Sequence, residues 1–150
     1  EWRDFAYNRT KALDCAFNKT DYLFIFDADD RIVGNFRLPL PQTMNKDGYE
    51  LKFGNTFWYN RQLLITNRKK WCFKGVLHEY LTGIDNMNNG SEIIEGDYYI
   101  ISGKFGNRSQ NPNKYLDDAI VLKNAFNLLV HSPNSFSDNY FTFVPHPGKH

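Results

Sequence analysis

Three aspartates stand close together in the run Asp27-Ala28-Asp29-Asp30, which we call the acidic turn. Two carboxylates one residue apart can point at one hard divalent cation and leave its other coordination positions open. Such an arrangement suits a metal ion that is shared with the phosphate groups of a substrate. The alternative is a solvated turn without chemistry, because aspartate is common where strands end.

Two other kinds of aspartate site fit the acidic turn less well. An EF-hand calcium loop needs an oxygen ligand where Arg31 stands and a glycine where Ile32 stands. A phosphatase of the haloacid dehalogenase type also has an apolar strand followed by Asp-x-Asp, and it would use Asp27 as its nucleophile. That family has Thr or Val at the position of Arg31, which disfavours the phosphatase and leaves it as an alternative.

The segments before the acidic turn predict how it is positioned. Apolar residues between Phe5 and Phe17 recur at helical spacing and Asp4 is a suitable N-cap, so we expect a helix there. Residues 22–26 are continuously apolar, as in a strand that is buried on both faces of a parallel sheet. The aspartates follow at the carboxyl end of this predicted strand, where open α/β sheets bind their ligands.

The middle of the chain predicts a loop followed by an antiparallel pair of strands. Residues 31–48 contain two prolines and end in a glycine, so we expect a loop with one short helix. Residues 49–53 alternate apolar and polar side chains, Gly54-Asn55 offers a turn, and residues 57–65 continue in extended form. We therefore expect an antiparallel addition to the sheet.

The last third of the chain predicts one more strand and a long helix. Residues 85–90 have few apolar side chains and predict a surface loop, whereas residues 98–101 predict a short strand. Asn111 and Pro112 suit the cap and the first position of a helix. Its apolar stripe should end before Pro133, because the residue before a proline disfavours helix.

Length, composition and charge limit the class of protein. A chain of 150 residues with 41% hydrophobic and 17% aromatic content can bury one core. The formal charge is only +1, so we expect no nucleic-acid partner. No run approaches the roughly 20 apolar residues of a membrane helix, so we expect a soluble chain without a membrane segment, cytoplasmic rather than secreted. We assign residues 1–130 to one α/β domain and residues 131–150 to an irregular tail.

Three segments of the chain resemble family 2 glycosyltransferases. They are Trp2-Arg3-Asp4-Phe5-Ala6-Tyr7-Asn8-Arg9, residues 21–30, and Trp71-Cys72-Phe73-Lys74-Gly75-Val76-Leu77-His78-Glu79. In the branch of this family that is often fused to tetratricopeptide repeats, a W-x-D-F-A-x-x-R segment precedes a D-A-D-D turn, and a g-x-x-H-E segment follows about fifty residues later. The similarity extends over residues 1–130 and keeps the order of the three motifs.

The resemblance implies a GT-A fold, in which a Rossmann-like mixed sheet is flanked by helices. It implies transfer of a sugar from a UDP- or GDP-sugar to a hydroxyl of a carbohydrate or protein acceptor, with inversion at the anomeric carbon. A divalent ion, Mn²⁺ or Mg²⁺, would be the cofactor, because negative charge develops on the departing diphosphate. Family members carry nucleotide-binding strands before the W-x-D-F-A segment, so we expect this chain to be the acceptor-side portion of such a domain, lacking its first strands.

The resemblance also implies roles for the residues of the acidic turn and for one residue of the preceding helix. Asp27 matches the aspartate that lies near the ribose of the nucleotide and close to the metal. Asp29 matches the aspartate that holds the metal, and Asp30 is the flanking acid on the nucleotide side. Arg9 matches an arginine that lies beside the nucleotide, and its alternative is a surface cation of the helix.

The His78-Glu79 pair falls where the family presents groups to the metal and to the acceptor. Glu79 is the candidate general base that takes the proton of the acceptor hydroxyl, and His78 is a metal or diphosphate contact. Relatives often carry Ile-x-His near the strand predicted at residues 98–101, whereas this chain has Ile100-Ile101-Ser102. The alternative from another class is a non-catalytic domain that keeps the transferase fold as a binding module.

Overall fold

The computed structural model describes residues 3–103 and 110–131. The elements follow one another as helix α1 (Phe5–Ala16), strands β1 (Tyr22–Phe24) and β2 (Asp30–Gly34), a 3₁₀ turn (Pro41–Thr43), strands β3 (Gly48–Phe53), β4 (Tyr59–Thr66), β5 (Trp71–Lys74), β6 (Tyr80–Gly83), β7 (Ser91–Ile93) and β8 (Tyr98–Ser102), and helix α2 (Lys114–His131). The chain is therefore a mixed α/β protein, as the sequence predicts at this coarse level. The predicted tail lies, apart from His131, outside the described residues.

One mixed sheet carries most of the strands. Its order is β1-β4-β3-β8-β2, and β7 pairs with β3 beside this path. The pairs β1–β4, β3–β4 and β2–β8 are antiparallel, whereas β7 and β8 both run parallel to β3. Strands β5 and β6 form a separate antiparallel hairpin. The sheet therefore mixes both kinds of pairing.

The main sheet curls until its two edges approach each other. Strands β1 and β2 stand at opposite ends of the order, yet only residues 25–29 connect them. Four gaps of about 4.8 Å would separate the two strands by about 19 Å in a flat sheet. The rings of Phe24, on β1, and Phe36, just after β2, are nevertheless stacked with centroids 6.1 Å apart. The contact between these two rings therefore shows that the sheet curls.

The hydrophobic core lies along the central strand β3 and its neighbours. Leu51 and Ile100 are fully buried, and each contributes about 1.5–3 kcal/mol relative to an exposed side chain. The buried members of the core cluster are Tyr49, Leu51, Phe53, Leu63, Leu64, Ile94, Tyr98 and Ile100. Since the alternating residues 49–53 supply three of them, the predicted strand is confirmed, as is its antiparallel pairing with β4.

Helix α1 is fixed at both ends by side chains. The backbone N–H of Tyr7 donates to Asp4 Oδ1 at 2.7 Å, so the predicted N-cap is confirmed. At the other end, the buried side chain of Asn67 donates from Nδ2 to the carbonyl of Ala16 at 2.8 Å. The helix packs against β5. The two hydrogen bonds and this packing fix the position of the helix.

Two predictions around the acidic turn are wrong. Strand β1 pairs antiparallel with β4 at an edge of the sheet, and Phe24 is 40% exposed, so β1 is not a doubly buried strand of a parallel sheet. Only Tyr22–Phe24 form the strand, whereas the apolar run continues through Ile25 and Phe26. Residues 31–48 are not all loop, since Arg31 to Gly34 belong to β2 and pair with β8.

The remaining predicted elements agree with the structure in position. Strand β8 covers residues 98–101, and the short helix predicted within residues 31–48 is the 3₁₀ turn. Helix α2 begins at Lys114, slightly after the predicted cap, and ends before Pro133. Much of its apolar stripe is exposed, with Tyr115 at 83% and Phe126 at 63%. No helix in the described ranges is long and apolar enough to cross a membrane.

Candidate functional site

The acidic turn is held by hydrogen bonds to β4 and to the residue that follows β8. The N–H of Ile25 donates to the carbonyl of Leu63 on β4 at 2.7 Å, which fixes the entry to the turn. The N–H of Asp30 donates to the carbonyl of Asp27 at 3.0 Å, so residues 27–30 form a β-turn. The N–H of Gly103, just after β8, donates to the carbonyl of Asp29 at 2.8 Å. The carboxylates are thus carried on a backbone with defined geometry.

Arg9 joins the acidic turn to the hairpin formed by β5 and β6. Its guanidinium forms an ion pair with Asp27 Oδ1, and its second terminal nitrogen lies 3.3 Å from Glu79 Oε1. The Arg9 side chain is 27% exposed, and its central carbon lies 5.1 Å from the centre of the Phe73 ring. The planar fork of arginine suits such a bridge between two carboxylates. Three residues singled out by sequence therefore meet.

The helical pattern around Arg9 gives a reason for its position. Ala6, Arg9, Thr10 and Leu13 share one face of α1, since they are spaced by three, four and seven residues. Ala6 is buried, and Thr10 Oγ1 accepts a hydrogen bond from the N–H of Phe73 at 2.9 Å. Arg9 thus lies on the packed side of α1, so it is not a fully exposed surface cation. The sequence pattern does not predict its contact with Glu79.

The loop between β5 and β6 presents Glu79 to Arg9. Gly75 has φ +113°, and a Cβ built on it would lie 3.3 Å from the Cα of Glu79, so this position requires glycine. The Glu79 side chain is 16% exposed. His78 is exposed and has φ +55°, a left-handed conformation that costs about 1–2 kcal/mol for a residue other than glycine. The loop therefore holds a strained residue beside Glu79.

One carboxylate oxygen of Asp30 has no hydrogen-bond partner among the described residues. Asp30 is 6% exposed, it is the first residue of β2, and it stands opposite Ser102 of β8. Its Oδ1 is buried and finds no hydrogen-bond partner within the described residues. A buried acceptor without a partner costs about 1–3 kcal/mol. A ligand hydroxyl or amino group would recover this free energy once the side chain turned toward the surface, because the oxygen is closed to solvent. Asp30 is thus a candidate ligand contact.

The carboxylates suit a hard cation only in part. Within residues 3–103 and 110–131, no group of three or more His, Cys, Asp or Glu side chains could hold a metal ion. Asp27, Asp29 and His78 are therefore not gathered into such a group. Mg²⁺ is often held by one or two carboxylates together with substrate phosphates, so a protein group of three or more is not required for that mode. Arg9 already occupies one oxygen of Asp27.

Cavities near the site are modest. One of about 360 Å³ lies between α1 and β5 and is lined by Thr10 and Phe73, which both flank Arg9. A larger one of about 490 Å³ is lined by Tyr22 and Thr66. These two residues pair at the far end of β1 from the acidic turn, so the larger cavity belongs to a different part of the molecule.

Comparisons with protein-family models, curated proteins and solved structures give no match to this chain. The class that the structure defines is a mixed α/β domain with a carboxylate site at one end of a curled sheet.

Proposed function

We propose that the protein is a metal-dependent glycosyltransferase with a GT-A fold, which transfers a sugar from a nucleotide diphosphate to an acceptor hydroxyl. The observation that carries this proposal is the bridge formed by Arg9, which holds Asp27 and Glu79 in one cluster. These residues come from the three segments that resemble family 2 glycosyltransferases. Their convergence is what a shared site requires, although the segments lie up to seventy residues apart.

The acidic turn would bind the diphosphate end of the donor. A bound Mn²⁺ or Mg²⁺ would neutralise the charge that develops on the leaving group. Asp29 and the free oxygen of Asp27 would hold the ion, with the remaining positions open to phosphate and water. The guanidinium of Arg9 adds a fixed positive charge next to Asp27. The unpartnered Oδ1 of Asp30 would accept a hydrogen bond from a hydroxyl of the donor.

Glu79 would act as the general base. One of its oxygens faces Arg9, which leaves the second oxygen to accept a proton. As the acceptor oxygen forms a bond to the anomeric carbon, its proton passes to Glu79 and the bond from that carbon to the diphosphate oxygen breaks. The Glu79 side chain is only 16% exposed, and limited access of bulk water to the base favours transfer over hydrolysis.

One observation favours the non-catalytic binding module as a second candidate. Arg9 engages Asp27 and Glu79 at the same time, so both carboxylates already have a cationic partner. The phosphatase has weaker support. Its nucleophile Asp27 would have to attack phosphorus while paired with Arg9, from an edge strand rather than a central parallel one.

A survey of donors tests the proposal. The intact protein is incubated with a panel of UDP- and GDP-sugars and Mn²⁺, and release of free nucleotide is measured. We expect turnover of at least one donor, lost in Asp29→Asn and kept in Asp14→Asn, a matched change at an exposed acid of α1.

The same survey separates the alternatives. Equal turnover by wild type and Asp29→Asn would overturn the assignment of the metal site. Nucleotide binding without turnover of any donor would favour the binding module. Hydrolysis of p-nitrophenyl phosphate that depends on Asp27 would favour the phosphatase.

A further inference from the structure

The turn between β3 and β4 exposes three consecutive aromatic side chains. Phe57, Trp58 and Tyr59, which we call the aromatic tip, are 82%, 55% and 49% exposed. The turn itself is tightly defined, since Gly54 has φ +84° and a Cβ there would lie only 2.1 Å from the carbonyl oxygen of Phe57. Exposed aromatic residues that are adjacent and rigidly placed are typical of recognition sites.

Contacts within the hairpin hold two of these rings in place. The ring of Tyr59 stacks on that of Phe53, with centroids 5.7 Å apart, and Phe53 is buried in the core. The ammonium of Lys52 lies 5.3 Å from the centre of the Trp58 ring. Rings that are already ordered lose little conformational entropy when a ligand binds to them.

The aromatic tip lies at the same end of the sheet as the acidic turn. The N–H of Gly54 donates to the carbonyl of Ile100 at 2.8 Å, so the β3–β4 turn begins beside β8. On the other side of β8, Asp30 pairs with Ser102, two residues further along the same strand. Strands β3 and β8 therefore lie between Tyr59, which begins β4, and Asp30, a distance of three strand spacings, or about 14 Å in a flat sheet.

The polar groups around the aromatic tip indicate what it binds. Residues 51–66 contain two cations, Lys52 and Arg61, and no acid. Asn55 and Thr56 form the turn itself and offer amide and hydroxyl groups beside the rings. Exposed ring faces attract the slightly positive C–H groups on the apolar face of a pyranose, while amides and hydroxyls bind its O–H groups. A lipid interior would instead have to desolvate Asn55 and Thr56.

We propose that the aromatic tip is the binding subsite for a saccharide acceptor, which stacks on Trp58 and Phe57 and extends across the ends of β3 and β8 toward the acidic turn. This inference rests on the proposed glycosyltransferase function, since that function supplies the reason for a second sugar site near the acidic turn. It identifies the acceptor class as carbohydrate rather than as protein without a glycan.

Affinity electrophoresis tests the subsite without donor or metal. The intact protein migrates through gels that contain mannan, xylan, β-glucan or polygalacturonate, and retardation is measured. We expect retardation by at least one polysaccharide, weakened about tenfold or more in Trp58→Ala and Phe57→Ala and less in Trp58→Phe. Tyr115→Ala, which removes an equally exposed ring on α2, serves as the matched control and should migrate like wild type.

Several results would overturn the subsite. The first is no retardation of the wild type by any polysaccharide, and the second is equal retardation of the wild type and Trp58→Ala. The third is Trp58-dependent binding to anionic phosphatidylserine vesicles without such binding to polysaccharide. Asp29→Asn separates this inference from the proposed function, because it should keep polysaccharide binding. If the wild type binds saccharide through Trp58 but consumes no nucleotide-sugar, then the transferase fails while the saccharide site stands.

Discussion

Two carboxylate clusters in this molecule each contain a cation, and they differ in how completely their groups are paired. Asp47 is 2% exposed and accepts from Lys69 Nζ at 3.0 Å and from the N–H of Asn89 at 2.8 Å. Asp27, in contrast, is 35% exposed and shares the single guanidinium of Arg9 with Glu79. The carboxylate of the first cluster is closed to solvent, and that of the second is open to it.

The difference is visible in the electrostatics of Asp47. Burial acts to raise the pKa of Asp47, but the hydrogen bonds from Lys69 and Asn89 outweigh it and lower the pKa below its usual value. Lys69 precedes β5 and Asn89 precedes β7, so their hydrogen bonds to Asp47 connect these two segments with the start of β3. At the acidic turn the neighbouring Asp30 keeps an unpartnered oxygen within the described residues. Complete pairing indicates a structural role, whereas spare acceptors indicate a place for a ligand.

The largest expected effect is at Glu79. If this residue is the base, Glu79→Gln should lower the turnover of the donor that the wild type uses by about 10²–10⁴-fold. Nucleotide affinity should change less than about twofold, since the amide keeps the shape of the side chain. Steady-state kinetics and nucleotide titration on the same samples check this. A variant that keeps more than half of the wild-type turnover would remove Glu79 from the chemistry.

The closed cluster should respond in stability rather than in activity. Asp47→Asn leaves the ammonium of Lys69 beside an uncharged amide, and we expect it to lower the free energy of unfolding by about 2–4 kcal/mol. Asp27→Asn, at the open cluster, should lower it by less than about 1 kcal/mol because that pair is partly solvated. Urea denaturation measures both. Similar values for the two variants would contradict the distinction between the clusters.

Low pH should remove the contribution of Asp47 to the free energy of unfolding. Its pKa in the folded protein is below the reference value of 3.8, so its contribution is complete above that pH and is lost as the pH falls toward the folded pKa. The difference in unfolding free energy between wild type and Asp47→Asn should therefore be constant from pH 7 to pH 5 and shrink below about pH 4. Denaturation curves across this range test the sign, and a difference that grows in acid would be incompatible with it.

The smallest expected effect is at His78. Glycine relieves the left-handed strain but adds freedom to the unfolded chain, so His78→Gly should raise stability by only about 0.5 kcal/mol. Nucleotide affinity should fall at the same time if the imidazole contacts the diphosphate. Asn18→Gly, at the other non-glycine residue with positive φ among the described residues, is the control that should leave nucleotide affinity unchanged. Unaltered affinity in both variants would exclude His78 from the site.

Local patterns were sufficient for the elements whose burial follows a simple period. The alternation in residues 49–53 identified β3, and the helical period with Asp4 as cap identified α1. Strand β2 was missed because its pairing partner β8 lies about seventy residues further along the chain. The apolar run before the acidic turn indicated a strand but not its neighbour, since antiparallel pairing with β4 is a property of the whole sheet.

The candidate site was predictable in its residues and only partly in its geometry. The motifs named Arg9, Asp27 and Glu79 separately, and the structure brings them together. They gave no sign of the buried oxygen of Asp30 or of the closed cluster at Asp47, because both depend on strand order. The metal role of His78 stays a prediction, since it is not gathered with the aspartates.

Binding of Mn²⁺ in the presence of UDP tests the central claim most directly. Isothermal titration is performed on the wild type, Asp29→Asn and the control Asp14→Asn, each with and without the nucleotide. If the acidic turn shares a divalent ion with a diphosphate, the wild type and the control will bind UDP more tightly with Mn²⁺ present, and Asp29→Asn will show no such gain. The same Mn²⁺-dependent gain in Asp29→Asn, or no gain in the wild type, would contradict the account.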